Sequence, residues 1–148
     1  MRLRKILLPT DLSGEGERAV DEMGEVAQRN GASLVLLHVV ADIGVVAASE
    51  GRSASKGIPG TREEMQNARA LLEERKKAFP PGVEVHVDVI AAPGVPQAIV
   101  DYAMRNGCDA IALSTHGRGG FRRVVMGSVA EAVLRRSPLP LIVFPRQG

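Results

Sequence analysis

The sequence has few of the residues that build aromatic stacking platforms, disulfides or thiolate metal sites. It holds three phenylalanines, one tyrosine and no tryptophan in 148 residues, so platforms for stacking nucleic-acid bases are not expected. Cys108 is its single cysteine, which excludes a disulfide within the chain and a metal site built from several thiolates. We expect this residue to be a small buried apolar side chain.

An excess of one charge and long apolar runs are also lacking. Nineteen basic and seventeen acidic residues leave a formal net charge of +2, which is too balanced to indicate nucleic acid as the main partner. No run approaches the roughly 20 apolar residues that a membrane helix needs. The apolar run 6–8 is cut short by Pro9, so no signal-peptide core forms. We expect a soluble, cytoplasmic protein with neither a nucleic-acid nor a membrane partner.

Short strand patterns alternate with amphipathic helix patterns along the whole chain. Apolar strands are predicted at residues 6–8, 34–40, 110–113 and 139–144, and a half-exposed strand at 83–89. This alternation is typical of an α/β fold with a parallel sheet and helices on both faces. The length suits one domain, residues 1–148. Residues 41–60 carry four glycines and show no regular spacing of apolar residues. We expect a loop there, which serves as a flexible connector in preference to a lid.

Two of the predicted strands carry the signals of sheet edges. In residues 83–89 valines alternate with polar residues, so one face of that strand meets solvent. Residues 139–144 are apolar on both faces, which would leave an adhesive strand exposed at an edge. We predict that this last strand pairs with its copy in a homodimer. The alternative is that the fourth helix and the C-terminal residues cover it.

A glycine-rich stretch, residues 114–128, connects the fourth strand to the fourth helix. Its glycines allow backbone N–H groups to approach a ligand, and Gly127-Ser128 stands where a helix begins. A helix start offers free N–H donors and a partial positive charge, so it suits an anion. Arginines in the stretch can supply charge to phosphates. We interpret it as a phosphate-binding loop; the alternative is a tight turn in which Ser128 and Glu131 form a capping box.

Other nucleotide and catalytic motifs are absent or incomplete. No lysine lies in a Walker-type loop, and no G-x-S-x-G sequence is present. Residues 14–19 fit G-x-G-x-x-A, but five residues separate them from the first strand, and two glutamates would face a pyrophosphate. The three histidines fall on separate elements, so a three-histidine metal site is not expected. No residue trio indicates a dedicated catalyst, and no protein metal site is predicted.

The same stretch resembles a family signature. Ser114-x-x-Gly117, nine residues, then Gly127-Ser128 resembles G-x2-G-x9-G-[ST], the nucleotide-binding signature of the universal stress protein family. Ser114 departs from it, because the signature has glycine there and a serine adds a Cβ. Further stretches of the chain are similar to the family's opening strand and loop, second strand, third helix and closing strand: residues 5–13, 37–39, 94–96 and 138–143.

This resemblance implies a fold, a ligand and its contacts. It implies a five-stranded sheet in order 3-2-1-4-5, with the ligand at the gap between strands one and four. The implied ligand is ATP, with Mg²⁺ carried on its phosphates. Adenine and ribose would lie near the loop after strand one and the backbone of Val39, and the phosphates near the glycine-rich loop. The implied nucleotide-binding residues are Pro9, Thr10, Asp11, Val39, Ser114, Gly117, Arg118, Gly127, Ser128 and Val129.

The function expected from these patterns is regulatory. The chain resembles a dimeric, ATP-binding stress-response protein that hydrolyses ATP slowly at most. One alternative is an interaction module of the same fold that leaves the cleft empty, and another is a slow ATPase or phosphotransferase. The choice among ATP, ADP and AMP as working ligand stays open at this point.

Overall fold

The computed structural model describes residues 1–12, 16–42, 59–114 and 127–144. These residues contain five strands: β1 (Lys5–Pro9), β2 (Ser33–Ala41), β3 (Val85–Ala92), β4 (Ala110–Ser114) and β5 (Leu141–Phe144). The helices that alternate with them are α1 (Gly16–Asn30), α2 (Pro59–Lys76), α3 (Val95–Arg105) and α4 (Ser128–Arg136).

The five strands form one parallel sheet in the order β3-β2-β1-β4-β5. The predicted α/β fold and its strand order are confirmed, and β3 and β5 lie at the two edges as their sequence patterns predict. The central strand β1 pairs with both β2 and β4; Ile6, for example, lies between Leu34 and Ala110. The strand order reverses at β1 and β4, so a crevice is expected beyond their carboxyl ends.

Helices cover both faces of the sheet, and each pair of helices buries one apolar layer. On one face α1 and α2 pack on alternate strand residues, with Met23 and Leu72 fully buried. On the other face α3 and α4 do the same through Ile99 and Val133. Alternation along a strand separates the two layers, since successive side chains point to opposite faces. The central strands are therefore buried on both sides, which explains their unbroken apolar sequences.

The bounds of α2 differ from those expected. The sequence Thr61-Arg62-Glu63-Glu64 has the pattern of a capping box, which predicts Thr61 as the cap of this helix. The helix instead already begins at Pro59. Proline suits that place because a first-turn residue has no helical partner for an N–H group. The helix ends at Lys76, so the buried Phe79 follows it and does not belong to it. Of the loop expected at 41–60, residue 41 ends β2, residues 59–60 are helical and residues 43–58 lie outside the described chain.

The Asn-Gly pairs at 30–31 and 106–107 predict the ends of the first and third helices, and the structure confirms both ends. The residues after these helices, Gly31 and the Gly107 that follows Asn106, have φ values of 63° and 65°. A left-handed backbone is adopted far more readily by glycine than by residues with a Cβ, which is why the two helices end there. Cys108, next along the chain, is buried as expected, and that burial raises the pKa of its thiol.

Asp109 joins the beginnings of two central strands at the end of the sheet opposite the crevice. One of its carboxylate oxygens accepts hydrogen bonds from the backbone N–H groups of Arg4 at 2.7 Å and Lys5 at 2.9 Å. Its own N–H donates to the carbonyl of Lys5 at 2.8 Å. The two bonds to the carboxylate favour its charged form and lower the pKa of Asp109.

We expect Asp109→Asn to lower the free energy of unfolding by roughly 1 kcal/mol at pH 7, because a charged acceptor is lost. The folded-state pKa is lowered, so this stabilisation is present above the ordinary aspartate pKa of about 3.9 and is lost as the pH falls through the folded-state value. Urea unfolding at pH 7 and pH 3 measures the difference, with Asp101→Asn on α3 as the control. An equal difference between variant and wild type at both pH values would contradict this.

Candidate functional site

A cavity of about 320 Å³ lies in the crevice at the carboxyl ends of β1 and β4. Its described walls come from the ends of β1, β2 and β4 and from the first turns of α3 and α4. Val20 of α1 and Arg75 of α2 complete the lining. A volume of this order falls at the lower end of the range for small-molecule sites, which runs from about 300 to 1,000 Å³.

The cavity brings together eight of the ten residues predicted to bind a nucleotide. They come from three separate parts of the chain: Pro9, Thr10 and Asp11; Val39; and Ser114, Gly127, Ser128 and Val129. The other two, Gly117 and Arg118, lie outside the described residues, as does the rest of the stretch 115–126. The loop after β1 and the two ends of the glycine-rich stretch thus meet at one place.

The start of α4 presents unpaired backbone donors to this cavity. Gly127 is the N-cap residue, and among the described residues no side chain caps the helix. The first helical hydrogen bond runs from the N–H of Glu131 to the carbonyl of Gly127 at 3.0 Å. The N–H groups of Ser128, Val129 and Ala130 therefore have no partner within the helix. Such a helix start attracts negatively charged groups.

Ser128 does not have the capping role that was considered for it. It is the first residue of α4 and not the residue before it, and its side chain is exposed. Within the described residues its hydroxyl makes no hydrogen bond, and Glu131 bonds to Arg135 and not back to the helix start. The capping-box alternative is therefore wrong, and the Ser128 hydroxyl is available at the cavity wall.

A tightly bonded turn, residues 9–12, forms the opposite wall; we call it the Thr10 turn. The N–H of Thr10 donates to the carbonyl of Leu37 at 2.8 Å, and its hydroxyl accepts from the N–H of Leu12 at 3.1 Å. Leu12 has φ of 65°, a left-handed conformation that costs a non-glycine residue about 1–2 kcal/mol. The turn exposes Asp11, which lies between these two residues and lines the cavity.

His38 holds the Thr10 turn from the neighbouring strand. Its Nδ1 lies 2.8 Å from the carbonyl oxygen of Thr10. A carbonyl only accepts, so Nδ1 must carry the hydrogen, and in the neutral ring Nε2 is then an acceptor. This half-buried histidine stands between the apolar residues Leu37 and Val39 of β2 and also lines the cavity. His38 is not among the residues predicted from the sequence to bind a nucleotide, where it counts only as one of three scattered histidines.

Arg75 is a second polar residue of the cavity that is not among the predicted site residues. Its Nη1 donates to the Thr10 hydroxyl at 2.6 Å, and the side chain lines the cavity from α2. A signal for it exists in the sequence. Arg75 falls three residues after the buried Leu72, on the stripe that Ala68 begins and that continues to Phe79 beyond the helix. A basic residue on the buried side of an amphipathic helix indicates a specific polar partner inside the fold.

The described lining carries charges of both signs, each from a different element. Asp11 supplies a carboxylate, Arg75 a guanidinium, and α4 the positive end of its dipole. Most of the remaining wall is aliphatic, as at Val39, Ile99 and Leu113. The arrangement can hold an apolar ring, a hydroxyl-bearing group near the carboxylate and an anion at the helix start.

The described residues contain neither a cluster of metal-ligating side chains nor a membrane-spanning helix. Within residues 1–12, 16–42, 59–114 and 127–144, no group of three or more His, Cys, Asp or Glu side chains could hold a metal ion. Among the described helices, none has both the length and the apolar character required to cross a membrane.

The chain is similar to known proteins over its whole length. The solved structure of MJ0577, a universal stress protein of Methanocaldococcus jannaschii, is 27% identical with a TM-score of 0.70 and covers 100% of this chain and 99% of that one. A universal stress protein in complex with cAMP shares the fold at 20% identity and a TM-score of 0.66, over 98% of each chain. One from Archaeoglobus fulgidus in complex with dAMP does so at 22% and 0.59, over 97% of this chain and 98% of that one.

The sequence model of the universal stress protein family matches residues 2–145, nearly the full chain. The strand order is the one that the resemblance implied, and the signature residues that are described line one cavity. This chain belongs to the universal stress protein family.

Proposed function

We propose that this protein binds an adenine nucleotide, ATP, in the cavity between β1 and β4, and that binding regulates a stress response. One observation carries the proposal: the Asp11 carboxylate and the free N–H groups at the start of α4 line the same mostly aliphatic cavity. Two members of the family with this fold are known in complex with cAMP and with dAMP, both adenine nucleotides.

Each part of a nucleotide has a chemically suited counterpart in the cavity. The phosphates would meet the N–H groups of Ser128 and Val129 and the Ser128 hydroxyl, which suit anionic oxygens. Asp11 would accept a hydrogen bond from a ribose hydroxyl. Val39 and the aliphatic wall would pack on the adenine ring. Ser114, at the end of β4, would lie between sugar and phosphates, while Gly117 and Arg118 would complete the phosphate contacts.

The chemistry of the described lining favours binding over catalysis. A Mg²⁺ ion would be carried by the phosphates and would neutralise their charge. The described lining contains one carboxylate and no cysteine or lysine side chain, so neither a pair of carboxylates for acid–base chemistry nor a thiol or amine nucleophile is at hand. We propose a cytoplasmic regulatory domain spanning residues 1–148 with slow hydrolysis at most.

Gly127→Val tests the phosphate end of the cavity. Gly127 has a φ of −62°, which valine can adopt, so the fold should persist while a branched side chain blocks the approach of phosphates. We expect ATP binding, measured by calorimetry with and without Mg²⁺ on protein freed of co-purified nucleotide, to weaken by at least about a hundredfold. Gly94→Val is the matched control, since Gly94 is the N-cap of α3 and does not line the cavity.

If Gly127→Val binds ATP as the wild type does, the phosphate end is misplaced. If the wild type binds no adenine nucleotide at millimolar concentration, the proposed function fails altogether.

Asp11→Ala tests the ribose end. Losing one charge-assisted hydrogen bond should weaken AMP and ATP binding about tenfold each, because both ligands carry the same ribose. Asp21→Ala, an exposed aspartate on α1, is the control and should bind as the wild type does. Phosphate release measured on the same samples should stay near background. Steady turnover that Asp11→Ala abolishes would instead favour an ATPase.

A second candidate function, an interaction module formed by pairing of β5, is favoured by the edge of the sheet. Among the described strands β5 has a neighbour on one side only, and its Val143 is 40% exposed. Leu134 on α4 is also exposed, at 51%. Apolar residues on an open edge strand are covered most simply by a second copy of the same strand. The proposed homodimer would use residues 139–144 and leave the cavity free to bind nucleotide.

Val143→Asp should convert the homodimer to monomer, because a charge on the open edge opposes its pairing. Sedimentation velocity at micromolar concentration measures the change. Leu71→Asp is the control, since Leu71 is similarly exposed at 51% but lies on α2. A wild-type chain that sediments as a monomer, or a Val143 variant that remains a dimer, would overturn the proposed interface.

A further inference from the structure

The Arg75 side chain reaches the cavity from the last turn of α2. Because α2 connects two parallel strands, it runs antiparallel to them, and its last turn lies away from the carboxyl ends of the sheet. Side chains on a helix tilt toward its N-terminus. The long side chain of Arg75 therefore extends back toward the cavity, where its Nη1 lies 2.6 Å from the Thr10 hydroxyl oxygen.

Two hydrogen bonds occupy the acceptor positions of the Thr10 hydroxyl, so that only its proton remains to be donated. A threonine hydroxyl can accept two hydrogen bonds and donate one. Thr10 Oγ1 accepts from Arg75 at 2.6 Å and from the N–H of Leu12 at 3.1 Å, so both acceptor positions are used. Within the described residues the hydroxyl donates to no partner. Its proton can therefore be donated to a molecule in the cavity that Thr10 lines.

The contacts of Thr10 also fix the backbone of the turn that presents Asp11. The carbonyl of Thr10 accepts from His38 at 2.8 Å, and its N–H donates to Leu37 at 2.8 Å. Leu12 keeps its left-handed φ of 65° while bonded to the Thr10 hydroxyl. Such a conformation persists only where the surrounding contacts enforce it. Arg75 adds a charged donor at 2.6 Å to the oxygen on which the turn closes.

We propose that Arg75 is a positioning residue of the nucleotide site. It occupies an acceptor position of the Thr10 hydroxyl, polarises that O–H and so orients it as a hydrogen-bond donor to the nucleotide, and it stabilises the Thr10 turn that carries Asp11. The inference rests on the proposed function and adds to it a residue outside both the glycine-rich stretch and the loop after β1.

This role differs measurably from a direct contact between Arg75 and the phosphates. Thr10 and Asp11 lie at the base and ribose end of the proposed site, and AMP, ADP and ATP share that end. A positioning residue should therefore affect the three ligands by the same factor. A guanidinium that bound phosphates would affect ATP most, since the attraction grows with ligand charge.

A double-mutant cycle between Arg75→Met and Thr10→Val tests the proposal by calorimetry with AMP and ATP. Methionine keeps an unbranched apolar stem and valine keeps the shape of threonine, so each variant removes mainly the hydrogen bond. Each single variant should lower the affinity for AMP and for ATP about tenfold. The affinity of the double variant should be no lower than that of the weaker single variant, because both substitutions remove the same interaction. Arg69→Met is the matched control, because Arg69 lies on the same helix and contacts Asp88 of β3.

Three results would overturn the inference while leaving the proposed function standing. They are wild-type affinity in Arg75→Met, losses in the double variant that multiply, and a loss for ATP much larger than that for AMP. Absence of nucleotide binding by the wild-type chain would instead overturn the proposed function, and this inference with it. If Arg75→Met does not fold, Arg75→Lys replaces it, since lysine keeps the charge but cannot reproduce the guanidinium geometry; it should recover only part of the affinity.

Discussion

The reversal of strand order between β1 and β4 is the constraint on which the rest of this structure depends. The chain leaves β1 for a helix on one face of the sheet and leaves β4 for a helix on the other face. The two connections diverge, and a crevice lined by backbone groups and loop side chains opens between them. The buried central strands make this geometry rigid, because their apolar residues are packed on both sides.

The two walls of the cavity are held in their conformations by different interactions. The start of α4 needs no side-chain partner, since its unpaired N–H groups follow from helix geometry alone. The Thr10 turn contains a left-handed Leu12, and it depends on contacts from two other elements, His38 of β2 and Arg75 of α2. A ligand that spans the cavity would meet a generic anion site at one end and a side-chain network at the other. Specificity would thus reside at the end that carries Asp11.

Most of the fold and part of the site were predictable from the sequence. Unbroken apolar runs indicated the central strands, because both faces of those strands are buried. Alternation of apolar and polar residues at 83–89 indicated an edge strand, because only one of its faces is buried. Eight predicted site residues meet in one cavity because the loops that follow parallel strands gather at one end of the sheet. The place of Arg75 on the buried stripe of α2 indicates only that it has a polar partner; that this partner is Thr10, 65 residues away, is not encoded in any local pattern. The Ser128 cap was wrong because a capping-box sequence does not determine which residue ends the loop.

The central claim is that an adenine nucleotide occupies the cavity between the Thr10 turn and the start of α4. An NMR titration of the ¹⁵N-labelled protein with ATP tests it most directly, because it reports where the ligand lies as well as whether it binds. The account predicts saturable shifts of the backbone amides of Thr10, Asp11, Ser128 and Val129, with little change at Arg4 and Asp109 at the opposite end of the sheet. Shifts that cluster elsewhere, or none at millimolar ATP, would contradict it.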